Sequence, residues 1–377
     1  MSGNIGQLLH SHLRFYQLLG LHGLPLPGDG WPENRAKWFR LFAGCLMIGF
    51  TALTVVCLTS SDVFLYQGDA FGWFNDILKY GFAEIAVLSI YAETIWHPWP
   101  LARFWQLYAA LAPQPASTLR LQMRQHWRFL VTLYGTLSLE GLLVCSLASM
   151  QVMSRHIVLF WSTFQPFVLI VHLRNTQFVL HLELLRQQLL QLEHELALLA
   201  EYSTFASDVA SFAGFEEYLR RRVRHKQLIY GRIYEMANCF LVAFRYSVIT
   251  VLLMIYVRIA VDCYFMYYTL YNKINIIDYY LLLPAVLEIP AFIYVSQSCM
   301  QLMPRIAHQL HSIVITSPAL SLQIQNFSLQ LLHQGVRIDC LGITVLDSYL
   351  LTRIVTAICT YMIFTVQLMP KLSGTYW

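Results

Sequence analysis

The sequence carries little charge for its length. Only 12% of the 377 residues are charged, whereas 57% are hydrophobic. Soluble proteins have about twice that charged fraction. The surplus of apolar side chains has to face lipid. The composition therefore excludes an ordinary soluble domain and predicts a protein that crosses the membrane several times.

Several signatures of other protein classes are missing. The eight cysteines form no C-x-x-C pair, which indicates buried thiols rather than a redox or metal site. No G-x-S-x-G, H-E-x-x-H, P-loop or G-x-G-x-x-G motif stands in the context that its chemistry needs. His308 and His311 have a helical ligand spacing, but no nearby Cys, Asp or Glu completes a set. The sequence thus predicts no enzyme activity, no cofactor and no metal.

A cleavable signal peptide is also missing, because the first 38 residues contain several prolines and glycines and no short apolar core. The net charge is only +4, and the basic residues are clustered. The basic run RRRVRHKQ at 220–227 is typical of a helix beside anionic lipid. We therefore expect membrane lipid, and no nucleic acid, as its partner.

The chain contains many long apolar runs. Seven runs have the length of a membrane helix. They lie at 41–60, 74–95, 128–150, from about 156 to 175, and at 239–264, 277–300 and 344–369. The odd number of spans and the lack of a fixed-period repeat argue against a transporter built by duplication.

The basic residues predict the orientation. With the N-terminus in the cytosol, 18 of the 25 Lys and Arg residues fall on the cytosolic side and three fall outside. The positive-inside rule then places the N-terminus inside and the C-terminus outside. A G-protein-coupled receptor would need the reverse orientation.

The connector between the fourth and fifth spans predicts a helical stalk in the cytosol. Its leucines recur at three- and four-residue spacing between charged residues, as in an amphipathic helix. Exposed leucine stripes favour self-association. The predicted all-α organisation is a cytosolic segment at 1–40, four spans within 41–175, a cytosolic anchor at 176–238, two spans within 239–300, a cytosolic connector with an anchor helix at 301–343, a last span at 344–369 and an extracellular tail at 370–377.

Polar residues within the spans are candidates for a ligand site. Arg258 and Asp262 are four residues apart, which is also the spacing of an ion pair that fixes helix packing. In the predicted orientation several such residues share the outer half of the membrane and can line a cleft between helices. The candidate pocket residues are Lys79, Tyr80, Met150, Trp161, Gln165, Arg258, Asp262, Asp278 and Tyr279.

The last span carries a polar stripe. Arg353, Thr360 and Gln367 are spaced by seven residues, and Thr356 and Ile363 lie on the same face. Two interpretations remain open at this point: a hydrogen-bonded helix interface, or the wall of a pore built by repeating this helix around a symmetry axis.

The end of that span, TYMIFTVQL, resembles the TYhhhhhQF signature (h is apolar) of insect gustatory receptors. Thr360, Tyr361 and Gln367 match the signature, and Leu368 replaces the usual Phe. The preceding run HQGVRIDCLGITVLDSYLLTRIVTAICTY is similar to the family's approach to its last helix. With the seven spans, the inside N-terminus and the stalk, the resemblance extends over the whole chain.

This resemblance implies the fold of insect odorant receptors. Four subunits, identical or from related receptors, would surround a cation pore lined by the last helix in the plasma membrane of a sensory neuron. The ligand would be a small-molecule tastant. Sugar-responsive members usually have Glu where this chain has Met362, so a bitter compound or a contact pheromone is expected. An obligate subunit of a heteromeric receptor and a G-protein-coupled receptor are the alternatives. The implied pore and gate residues are Thr360, Ile363, Phe364, Gln367 and Leu368.

Overall fold

Helices make up most of the part of the chain that the computed structural model describes. The described residues are 12–24, 33–60, 70–111, 135, 138, 155–209, 213–271, 277–315 and 317–373. The predicted third span, with Met150 of the candidate pocket, lies outside them except for helical residues 135 and 138.

A short helical segment at 12–18 precedes the longer elements. The helices are α1 (Glu33–Thr59), α2 (Ala70–Trp96), α3 (Pro98–Leu111), α4 (Arg155–Val209), α5 (Ala213–Ala243), α6 (Arg245–Tyr271), α7 (Ile277–Met300), α8 (Leu302–His311), α9 (Pro318–His333) and α10 (Ser348–Ser373), with strands β1 (Asp339–Cys340) and β2 (Thr344–Val345).

Three helical segments in the described part of the chain are long and apolar enough to cross a membrane. They are Arg35–Thr59 in α1, Arg245–Tyr267 in α6 and Ser348–Gln367 in α10. Helices α2 and α7 occupy two other predicted spans. Helix α2 contains buried ionisable residues at Asp76, Lys79, Glu84 and Glu93, which lower its hydropathy.

Helix α4 is continuous for 55 residues and runs from the predicted fourth span far into the predicted anchor, without a boundary at 175. Its leucines at three- and four-residue spacing, among them Leu185, Leu189, Leu192 and Leu196, are buried. They pack mainly against α5 and α8, which are themselves amphipathic. Helices α5 and α8 thus form a bundle with the C-terminal half of α4.

The chain enters α10 through a hairpin. Strands β1 and β2 pair in an antiparallel register, and Leu341 and Gly342 adopt the left-handed conformation between them. Asp347 Oδ1 then accepts a 3.2 Å hydrogen bond from Leu350 N and caps the helix. Because 344–345 are strand, α10 begins four residues after the predicted start of the last span, and it continues through Ser373, beyond the predicted end at 369.

The N-terminal segment 12–24 packs into the bundle. Leu13, Tyr16 and Leu21 are completely buried. Tyr16 Oη lies 2.9 Å from Thr176 Oγ1 of α4. Gly20 has a φ of +72°, and a Cβ there would lie 3.1 Å from Leu46 Cδ1 of α1, so the chain needs glycine at this turn.

Candidate functional site

A buried charge cluster joins α2 to α6. Lys79 Nζ of α2 donates a short hydrogen bond to Asp262 Oδ1, and Arg258 Nε lies 3.8 Å from Asp262 Oδ2 one turn away on α6. Lys79 is 2% exposed, and Arg258 and Asp262 are each 6% exposed. The Arg258–Asp262 spacing thus does form an ion pair, but one that is shared with Lys79. Buried charges of this kind are costly unless they are paired.

Aromatic rings enclose the Lys79 ammonium. Its Nζ lies 5.6 Å from the ring centroid of Phe160, 5.5 Å from that of Trp161 and 5.0 Å from that of Phe265. Three rings within cation–π distance stabilise the buried charge and give the site aromatic walls.

The neighbouring Tyr80 anchors α2 to α4. Tyr80 Oη lies 2.6 Å from Thr163 Oγ1, and its ring makes edge contacts with Phe160, Phe164 and Phe167. These phenylalanines were missed at the sequence level, because they carry no polar atom and read as ordinary lipid-facing residues. Their three- and four-residue spacing on one face of α4 is the signal that points to them.

The structure therefore brings together Lys79, Tyr80, Trp161, Arg258 and Asp262. Gln165 is half-buried one turn along α4 from Trp161. Asp278 and Tyr279 lie in α7, with side chains outside the described part. In chemical terms, the cluster combines two cations, a carboxylate and several aromatic faces, all buried between α2, α4 and α6.

Helix α10 has two distinct faces. One face packs against α6 and α7 and includes Ile354, Ile358, Tyr361 and Thr365. The other is exposed on this chain and carries the predicted polar stripe (Arg353, Thr356, Thr360, Ile363 and Gln367) together with the predicted pore residue Phe364. Leu368 also lies in α10, but its side chain is outside the described part.

The threonine hydroxyls of the stripe already donate hydrogen bonds within α10. Thr356 Oγ1 donates to Thr352 O and Thr360 Oγ1 donates to Thr356 O, both at 2.9 Å. Each hydroxyl oxygen keeps free lone pairs on the exposed face. The stripe can therefore line water or a hydrated cation without leaving a donor unpaired.

Two buried histidines, His22 and His181, lie next to the Trp105 ring. Burial is the largest cause of the lowered pKa values of His22 (about 3) and His181 (about 4), and nearby Arg174 adds to both effects. His181 Nδ1 is 2.7 Å from Gln177 O, whereas neither ring nitrogen of His22 has a partner among the described residues. Both rings are neutral near pH 7.

The cysteines only partly follow the expectation of buried thiols. Cys57, Cys239, Cys299 and Cys340 are buried, and burial raises the pKa of the Cys340 thiol to about 12. Cys45 and Cys359 are exposed on faces of α1 and α10 that this chain leaves uncovered. Within the described residues no three His, Cys, Asp or Glu side chains converge to hold a metal ion.

Comparison with known proteins extends over nearly the whole chain. Residues 9–369 match the family model described as 7tm Chemosensory receptor. The fold is similar to that of the insect olfactory receptor OR5 from Machilis hrabei in complex with eugenol, with a TM-score of 0.70 and 11% sequence identity over 96% of this chain and 99% of that chain. A second OR5 structure matches with a TM-score of 0.66 and 10% identity over 96% and 98% of the two chains. No curated protein matches the sequence significantly.

Proposed function

Because the chain belongs to the 7tm chemosensory receptor family, we propose that it is a gustatory receptor that acts as a ligand-gated, non-selective cation channel. The TYMIFTVQL motif supports the taste assignment within that family. The proposed ligand is a small-molecule tastant, either a bitter compound or a contact pheromone, and the proposed location is the plasma membrane of a sensory neuron.

The exposed polar face of α10 is the observation that carries this proposal. A helix apolar enough to span the membrane leaves Arg353, Thr356, Thr360 and Gln367 uncovered on one chain. Polar groups at membrane depth need protein or water around them. Symmetric copies of α10 around a central axis would supply both, with Gln367 and Leu368 as rings near the outer mouth.

The proposed chain has seven spans and a cytosolic N-terminus. Four identical or related subunits form the proposed tetramer, which is held together in part by the cytosolic helices. The ratio of 18 to three basic residues supports the orientation. Exposed apolar side chains on the cytosolic helices, such as Leu322, Leu329 and Leu332 of α9, support the assembly.

The Lys79 cluster is the proposed ligand site, and α6 links it to the pore. Helix α6 carries Arg258 and Asp262, and its Val257, Val261 and Phe265 form one apolar cluster with Tyr361 of α10. A ligand that favours one position of α6 would shift the population of α10 positions by its difference in affinity.

Current recording with thiol labelling tests the pore. In cells that express the Leu368→Ala variant, we expect a ligand-independent cation current, because the outer ring is widened. In a Cys45→Ser, Cys359→Ser form of that variant, a charged thiol reagent should block the current after Thr360→Cys. It should not do so after Thr365→Cys, because Thr365 is 1% exposed and faces α10's packed side.

Surface tags separate the alternatives. A C-terminal tag that is labelled on intact cells supports the proposed orientation, and labelling of an N-terminal tag alone would favour a G-protein-coupled receptor. Current that arises only on co-expression with a related receptor would make the chain an obligate subunit. Surface expression of Leu368→Ala at the wild-type level without leak, or a leak that thiol labelling of Thr360→Cys does not block, would contradict the pore.

A further inference from the structure

The helix break between α5 and α6 occurs at Phe244, in the stretch 240–247, which contains neither glycine nor proline. Phe244 N donates to Phe240 O at 3.2 Å and Val248 N donates to Phe244 O at 3.1 Å, so the helical pattern holds on both sides. Sharp breaks without proline or glycine usually arise where a side chain inserts into the backbone ladder. Two such side chains are present here.

Glu93 of α2 takes the amides that the break leaves free. Glu93 Oε1 accepts a 3.0 Å hydrogen bond from Ser247 N and a shorter one from Tyr246 N. In an uninterrupted helix, Ser247 N would donate to Ala243 O instead. The 4%-exposed carboxylate therefore acts as the N-terminal cap of α6, where negative charge is favoured by the helix dipole.

Arg174 of α4 takes the matching carbonyl. Arg174 Nη2 donates to Ala243 O at 3.1 Å and to Glu93 Oε2 at 2.9 Å. Its Nε donates to Ser247 Oγ at 3.1 Å, and its guanidinium carbon lies 4.2 Å from the ring centroid of Phe244. The two charged side chains thus replace the helix's own hydrogen bond with bonds to α2 and α4.

Gln177 connects this arrangement to the N-terminal segment. Its Oε1 accepts a 2.9 Å hydrogen bond from Arg174 Nη1, and its Nε2 donates to Leu21 O at 3.2 Å. Four separate parts of the chain therefore meet at the break: α2, α4, the α5–α6 junction and the segment 12–24.

We propose that Glu93 and Arg174 are positioning residues that stabilise the break at Phe244 and hold α6 at a fixed angle to α5. Because α6 carries Arg258 and Asp262 and packs on Tyr361, that angle sets the relative placement of the charge cluster and the last helix. The proposal does not depend on ion conduction, and its test measures the backbone directly.

The essential feature is the acceptor at position 93, not the ion pair alone. In the charge-reversed variant Glu93→Arg/Arg174→Glu, the pair is restored, but arginine has no acceptor for the amides of Tyr246 and Ser247. We therefore expect no rescue from reversal. Two neutral double variants isolate the acceptor: E93Q/R174M keeps one at this position, and E93L/R174M removes it.

Amide hydrogen exchange of the purified full-length protein, read by mass spectrometry, compares these two variants. We expect the peptide covering 244–248 to exchange about tenfold faster in E93L/R174M than in E93Q/R174M, because the amides of Tyr246 and Ser247 lose the acceptor at position 93. Exchange in 255–262 of the same helix should be unchanged. Glu93→Gln alone, which weakens the acceptor without removing it, should raise exchange at 244–248 by about threefold and covers the case in which E93L/R174M does not fold.

Glu84→Leu is the matched control. Glu84 is a second buried carboxylate of α2 and accepts hydrogen bonds from Thr51 Oγ1 at 2.7 Å and Thr54 Oγ1 at 2.9 Å, away from the break. Its loss should leave exchange at 244–248 unchanged. The proposal would be overturned if exchange at 244–248 stayed at the wild-type rate in both E93L/R174M and Glu93→Gln. An equally faster exchange in Glu84→Leu, or a return to the wild-type rate on charge reversal, would also overturn it.

Discussion

Tyr361 Oη donates a 2.9 Å hydrogen bond to Asn75 Oδ1, which ties the last helix to α2 across 286 residues of sequence. Asn75 is completely buried, and its Nδ2 has no partner among the described residues. Tyr361 is thus the partner of the Asn75 side-chain oxygen, and it lies on the face of α10 opposite the exposed stripe.

Tyr361→Phe should destabilise the protein by about 1–3 kcal/mol, because the buried Asn75 Oδ1 then loses its partner among the described residues. Asn75→Leu combined with Tyr361→Phe should recover most of that loss, which a double-mutant cycle of unfolding midpoints in detergent would measure. Tyr349→Phe is the control, since Tyr349 lies on the same helix and is 74% exposed. Additive effects of the two substitutions would contradict the link.

Asp262→Asn should cost more stability than Lys79→Met. Asp262 is the carboxylate that Lys79 hydrogen-bonds, so its neutralisation leaves the buried ammonium without that partner, at a cost of about 3–5 kcal/mol. Loss of Lys79 still leaves Arg258 opposite Asp262. Chemical unfolding of both variants checks the order, and equal losses of stability would argue against a shared carboxylate.

Arg103→Met is the control on an exposed pair. It breaks the half-exposed Arg103–Glu235 ion pair and should change stability by less than about 1 kcal/mol.

Stability should fall as the pH drops from 7 toward 4. The pKa values of His22 and His181 are lowered in the folded protein, to about 3 and about 4, from an ordinary value of 6.5. Between these values the unfolded chain binds protons that the folded chain does not, so each ring removes up to about 1.4 kcal/mol per pH unit as the pH falls. His22→Phe should flatten this dependence in thermal unfolding at pH 7.5 and 5. The exposed His308 is the control position, and an unchanged slope in His22→Phe would contradict the prediction.

Two glycine substitutions should change the free energy of unfolding in opposite directions. Gly20→Ala forces a Cβ into a left-handed turn and against Leu46, and it should destabilise the docked N-terminal segment by about 1–2 kcal/mol. Gly44→Ala in α1 meets nothing within 4 Å and should stabilise the helix by up to about 1 kcal/mol. Unfolding midpoints distinguish them, and a loss of stability at both positions would mean that Gly44 also lies at a contact.

The chemosensory family could be predicted from the sequence, and the match over residues 9–369 confirms it. The mostly helical fold was likewise predictable from apolar runs, and the Arg258–Asp262 pair from its four-residue spacing. Local patterns of this kind depend only on helix geometry. The contact of Lys79 with Asp262 joins residues 183 apart, so no spacing rule could place it.

The break at Phe244 shows most clearly where sequence reasoning stops. Nothing in residues 240–247 ends a helix, and the predicted span ran straight through them from 239. The groups that bond the backbone there are Glu93 and Arg174, which lie on two other helices. The hairpin before α10 was missed for a similar reason, since two-residue strands give too short a pattern to recognise.

Helix α4 is longer than any membrane requires. Its 55 residues extend about 80 Å, whereas the hydrocarbon layer is about 30 Å thick. About 50 Å of it therefore stands beyond the membrane as a lever arm, stiffened along its length by α5 and α8. A tilt of only about 5° in the membrane moves its far end by about 4 Å, or about three quarters of the rise of one helical turn. Small rotations near the Lys79 cluster are thus geometrically amplified at the far end of α4.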